Sequence, residues 1–121
     1  MRAFEYRYYH HSKFFHAKVG IRVPVDTAQK NLRRIRASVT GRVQGVGFRY
    51  FTRDMAFKSR LSGWVRNRYD GGVELEAQGP EAFVASFLQE IRNGPLLSYV
   101  SDLQVNELPV KDGEKGFEIR Y

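Results

Sequence analysis

Cysteine is absent from all 121 residues, which excludes disulfides, thiolate zinc sites and a cysteine nucleophile by inventory alone. A chain without thiols is compatible with a reducing compartment. No apolar run approaches the ~20 residues that span a bilayer, and the N-terminus lacks the apolar stretch and small-residue cleavage site of a secretory leader. A cytoplasmic protein without membrane association is therefore expected. Histidine is scarce and confined to the beginning of the chain, as His10, His11 and His16. Their irregular spacing does not suit a metal site, and no metal ligand is assigned. Beyond residue 34 the chain has neither imidazole nor thiol, so ordinary general-base or thiol chemistry has no obvious agent there.

The net charge of +7 suggests a nucleic-acid partner until it is divided along the chain. Residues 1–35 carry eight basic side chains against two acidic ones, whereas the remainder carries twelve against eleven. Only the leader is basic. Segment 1–34 has no clean helical or strand period. Its aromatic residues Phe4, Tyr6, Tyr8, Tyr9, Phe14 and Phe15 are too many for a typical disordered tail. It reads as an extension, either flexible or partly docked, or else as a stretch upstream of the true start. Residues 35–121 read as one domain, and nucleic acid is expected, if at all, only through the extension.

Regular patterning starts at Ile35, where Ile35, Ala37, Val39, Gly41 and Val43 alternate with polar residues as in a half-buried strand. Phe48, Phe51, Met55, Ala56 and Ser59 then follow helical spacing. "SGWVRNRYDGG" and the alternating Val73, Leu75 and Ala77 make a hairpin about Asp70-Gly71-Gly72. Gly79-Pro80-Glu81 opens a second helix, with Val84, Phe87, Leu88 and Ile91 as its buried stripe and Asn93-Gly94-Pro95 as its stop. Two more strands are expected near Val100–Val105 and Phe117–Tyr121. Strand-helix-strand repeated twice predicts an α+β, ferredoxin-like split βαβ sandwich, an antiparallel sheet of four or five strands with both helices on one face.

Between the first strand and helix lies "GRVQGVGFR", Gly41 to Arg49. It lacks the Gly-Lys-Ser/Thr ending of a nucleotide P-loop, and Tyr50 stands where the dinucleotide fingerprint needs a third glycine. What remains is shared physics: glycines turn amides inward, and a helix N-terminus adds unpaired N–H groups and positive dipole. Arg49 can lay a planar fork on two phosphate oxygens. The plain alternative is a tight strand-to-helix turn with Arg49 merely solvated.

Gly41-Arg42-Val43-Gln44-Gly45-Val46-Gly47-Phe48-Arg49, followed by Gly63-Trp64-Val65-Arg66-Asn67, resembles the two signature motifs of the acylphosphatase family over about residues 35–121. The resemblance implies hydrolysis of the carboxyl–phosphate anhydride of acyl phosphates, with no metal and no cofactor. It implies that Arg49 binds the phosphoryl group, that Asn67 orients the attacking water, and that loop amides from Gln44, Gly45, Val46, Gly47 and Phe48 complete the cradle. A monomer acting on a small molecule is expected.

Other residues near the motifs have blander roles open to them. Arg42, Arg66 and Arg68 either steer an anionic substrate or line a solvated strand face. Trp64 is expected to pack at the sheet surface, and Glu74 and Glu76 to form polar exterior rather than a carboxylate pair. Two other functional classes compete. An RNA-binding module can share this fold plan, but it would need aromatics on a central strand rather than at a helix start. A catalytically silent regulatory module is the other, because fold does not guarantee turnover.

Overall fold

The computed structural model describes residues 31–121, together with the backbone of residues 14–16 and 22–24. Those two short segments, β1 (Phe14–His16) and β2 (Arg22–Pro24), form an antiparallel ladder of their own. The remaining expectations for residues 1–30, including the role of the histidines, lie outside the described residues. Next come β3 (Leu32–Arg42), α1 (Phe48–Lys58), β4 (Ser62–Asn67), β5 (Val73–Pro80), α2 (Glu81–Asn93), β6 (Tyr99–Leu108) and β7 (Phe117–Arg120). The five-stranded sheet has the order β6-β3-β5-β4-β7. This is the ferredoxin-like plan with one strand added.

The period-two and helical patterns place the elements as expected. Ile35, Ala37 and Val39 on β3, Val65 on β4, and Val73, Leu75 and Ala77 on β5 are almost fully buried against Phe48 and Ala56 of α1 and Val84, Phe87 and Ile91 of α2. Burial on this scale is the main source of stability, at about 25 cal/mol per Å² of apolar surface removed from water. Among the described residues, no helix is long and apolar enough to cross a membrane.

Two features differ in detail from the sequence pattern. The four strands of the βαβ units pair antiparallel, but β7 joins the outer edge of β4 in parallel register, Gly63 opposite Phe117 and Arg66 opposite Arg120, so the whole sheet is mixed. The chain leaves β6 at one edge of the sheet, crosses to the other and arrives there running in the direction of β4. β3 also begins at Leu32, ahead of the expected Ile35. Its first turn is held by pairing with Pro80, Gly79 and Gln78, and by the buried guanidinium of Arg34.

The helix-free face of the sheet carries charge in place of a second apolar layer. Arg34 pairs with Glu76 at 2.8 Å and Glu114 at 2.7 Å, Arg36 with Glu74 and Glu76, and Arg66 with Glu74. Trp64 lies on this face, as expected, with the guanidinium carbons of Arg36, Arg66 and Arg120 at 5.5, 5.3 and 4.8 Å from its rings. Glu74 and Glu76 are not simple exterior residues. They are buried to 8% exposure beneath these arginines, because long side chains from neighbouring strands fold over them.

Candidate active site

β3 and β4 run in the same direction with β5 between them, so their C-terminal ends open on the same edge of the sheet. The loop after β3 and the last residue of β4, Asn67, share that edge. Two buried anchors, Val43 and Phe48, hold the loop ends in the core, and Val46 packs partly against it. Between them Gln44 to Gly47 have freedom to shape a surface.

Gly45 has φ +75° and Gly47 φ +78°, while Val46 between them keeps negative φ. Alternating handedness turns successive N–H groups toward one concave side, the arrangement that binds anions elsewhere. Among the described residues, none of the amides of Gln44, Gly45, Val46, Gly47 and Phe48 donates a hydrogen bond within the protein. The first intrahelical bond of α1 is Phe51 N–H to the Gly47 carbonyl at 3.0 Å, which leaves Phe48, Arg49 and Tyr50 N–H as the usual orphans. No side chain caps this N-terminus, and no acidic residue sits in its first turn. Unpaired donors and the helix dipole thus meet at this loop, and among the described residues no carboxylate satisfies them.

Arg49, in the first turn of α1, is half-buried. Its guanidinium carbon stacks 4.8 Å from the ring of Tyr121, and among the described residues no carboxylate pairs with it. The neighbouring Tyr50 hydroxyl pushes the Tyr121 phenol above its ordinary range. Tyr121 was not foreseen from the sequence. Its contact depends on β7 running parallel to β4 and delivering the residue after Arg120 to this edge, which no local pattern encodes.

Asn67 is exposed, its backbone is in the β4–β5 ladder opposite Val73, and its carboxamide has no partner among the described residues. It lines an open concavity of about 700 Å³ with Tyr121, Arg66, Arg68 and Tyr69. Arg66 is ion-paired to Glu74 and Arg68 to Asp70, and Arg68 also donates a hydrogen bond to the Ser38 hydroxyl. Tyr121 thus links the two sequence-assigned side chains: Arg49 stacks on its ring, and Asn67 lines the concavity that Tyr121 also lines, whereas Arg49 and the loop do not line it.

Gln44 behaves differently from the rest of the assigned loop. Its side chain turns away from the concave surface and donates to the carbonyls of Arg68, at 2.8 Å, and Gly72, at 2.9 Å. With carbonyls on both sides, only the NH₂ end of the carboxamide can occupy that position. Its backbone amide alone remains available to the loop. The turn it grips is itself tight: Arg68 N–H donates to the Gly72 carbonyl at 2.8 Å, and Gly72 N–H to Asp70 Oδ1 at 2.9 Å.

Comparison with known proteins converges on a single family. Residues 35–119 match the family model described as Acylphosphatase. The acylphosphatase of Clostridium beijerinckii is 53% identical over 88 residues, 73% of this chain and 98% of that protein. The crystal structure of the acylphosphatase from Bacillus subtilis superposes with a TM-score of 0.71 at 48% identity, covering 74% of this chain and 99% of that one. Full-length HypF in its phosphate- and nucleotide-bound form contains a similar region, with a TM-score of 0.67 and 34% identity, covering 74% of this chain but 12% of that one.

Proposed function

Because the chain belongs to the acylphosphatase family of acid-anhydride hydrolases, we propose that it cleaves the carboxyl–phosphate anhydride of small acyl phosphates to carboxylate and phosphate, using Arg49 and Asn67 and no metal. The observation that carries this is the alternating backbone at Gly45, Val46 and Gly47, whose amides donate to nothing among the described residues and which leads directly into the helix turn bearing Arg49, a guanidinium with no carboxylate partner among them. A phosphoryl group supplies the oxygens that those donors lack.

In this mechanism the amides from Gln44 to Phe48 and the fork of Arg49 bind the non-bridging oxygens and stabilise the charge they carry in the transition state. The Asn67 carboxamide accepts from and donates to a water, which leaves a lone pair directed at phosphorus in line with the departing carboxylate. The leaving group is the anion of an acid with pKa near ~4, so it departs without a proton from the enzyme. The absence of histidine and cysteine beyond residue 34 is then no obstacle. A small soluble substrate is consistent with an open, shallow site and with action in the cytoplasm.

The RNA-binding alternative fares worse on the sheet. The helix-free faces of the central strands β3 and β5 present Arg34, Arg36, Glu74, Glu76 and Gln78, and Trp64 on β4 is overlaid by three guanidinium groups. Among the described residues, these strand faces themselves offer no free aromatic side chain for a base to stack on. A module role is set against the match to nearly the full length of a stand-alone acylphosphatase.

Phosphate release from benzoyl phosphate, measured with a chelator present, tests the proposal. Arg49→Ala and Asn67→Ala should each lower turnover on the order of 100-fold or more with the fold intact by circular dichroism. Wild-type turnover in either variant, or an inactive wild-type protein, would refute it.

A further inference from the structure

The carboxamide of Gln44 bridges two parts of the site that are far apart in sequence. It extends from the anion-binding loop to the carbonyl of Arg68, the residue directly after Asn67, and to the carbonyl of Gly72, the residue directly before Val73, whose strand position faces Asn67. Both donor hydrogens are used, one on each side of the turn. Among the described residues these bonds tie the loop to the β4–β5 turn, and the backbone amides of the loop donate to nothing there.

We infer that the Gln44 side chain is a positioning residue that fixes the separation of the phosphate cradle and Asn67, and so sets the in-line approach of the attacking water. It touches neither phosphate nor water. The physical reason for such a clamp lies in the loop itself. Gly45 and Gly47 give the backbone the conformations it needs but also make it deformable, while Asn67 stands at the end of a strand where ladder pairing stops. A misplacement of about 1 Å between the reacting partners can cost a factor of ~100 in rate. The inference presupposes the hydrolytic role proposed for Asn67.

The test is a double-mutant cycle on benzoyl phosphate hydrolysis. Gln44→Met keeps the length of the side chain and removes both donors. Gln44→Asn keeps an amide but is one methylene too short to span both carbonyls. Each should lower kcat about 10-fold or more, while the inhibition constant of inorganic phosphate stays within about twofold, because amides and guanidinium still form the cradle. In an Asn67→Ala background, the same substitutions should produce no further loss.

Three results would overturn the clamp: a wild-type kcat in both Gln44 variants, a fall in phosphate affinity that matches the fall in kcat, or an equal fractional loss with and without Asn67. A wild-type protein that does not hydrolyse benzoyl phosphate, or an Asn67→Ala variant at full rate, would refute the proposed function instead, so the two failures are distinguishable.

Discussion

Gly45 and Gly47 show how much of this site depends on single backbone angles. A methyl group added at either position would meet nothing within 4 Å, so space is not what requires glycine. The requirement is φ near +75°, which costs an L side chain roughly 1–2 kcal/mol. Gly45→Ala or Gly47→Ala should therefore lower the unfolding free energy by only about 1–2 kcal/mol in urea titrations, yet reduce benzoyl phosphate turnover at least about tenfold as the amides turn away from their common focus. Loss of stability without loss of activity would show that the curvature serves the turn alone. At this scale, the places of Arg49 and Asn67 in the fold were legible in the sequence because they depend on local periodicity, one in the first turn after a glycine loop and the other at the end of an alternating strand, whereas the roles proposed for them rest on the resemblance. The direction of the Gln44 side chain was not legible. It is decided by carbonyls at Arg68 and Gly72, which become neighbours only once β4 and β5 have paired.

Among the elements, β4 carries the tightest constraint. Gly63 has φ +145°, and a Cβ there would lie far inside contact distance of the Glu76 carbonyl on β5, with no flexible side chain able to yield. Gly63→Ala must push β4 off β5 or break their ladder. Destabilisation on the order of 3 kcal/mol or more is expected, read as a lowered urea midpoint, and an unchanged midpoint would show that the strand can yield. Helix and strand identities follow from hydrophobic period and appear as the sequence pattern implies, but the stripe of α1 also buries Thr52, whose hydroxyl donates to the Phe48 carbonyl, while Phe51 and Met55 are only partly buried. The early start of β3 and the parallel seating of β7 do not follow from that period. Arg34 is held by Glu76, Gln78 and Glu114, all more than forty positions away, and an isolated run of arginines gives no sign of such partners.

For the molecule as a whole, the division of charge seen in the sequence acquires a structural meaning. Arg33 and Arg34, counted with the basic leader, pair with Glu107, Glu76 and Glu114 of the near-neutral remainder, so the two parts are joined electrostatically. The Arg34 hydrogen bond holds the Glu114 carboxyl below its usual range, and Arg33 does the same for Glu107. Burial pushes Glu74 upward, but the hydrogen bonds and charges of Arg66 and Arg36 together outweigh it, so that it too is lowered. A carboxyl with a lower pKa folded than unfolded stabilises the fold fully above its unfolded value, near 4.5, and loses that contribution as pH falls through the folded value. The urea midpoint should therefore fall as pH drops below about 4.5. Glu114→Gln should be less stable than wild type near neutral pH and converge with it as pH falls below the folded value of Glu114. A stability gap that persists at low pH would assign the effect of Glu114 to packing instead of charge.

The central claim is that the backbone amides of one loop, joined by a guanidinium, hold a tetrahedral dianion. Titration of the ¹⁵N-labelled protein with inorganic phosphate tests it most directly. Saturable shifts should centre on the amides of Gly45, Val46, Gly47 and Phe48 and disappear in Arg49→Ala. Saturable binding that leaves those four resonances unmoved, or that survives the loss of Arg49 undiminished, would contradict it.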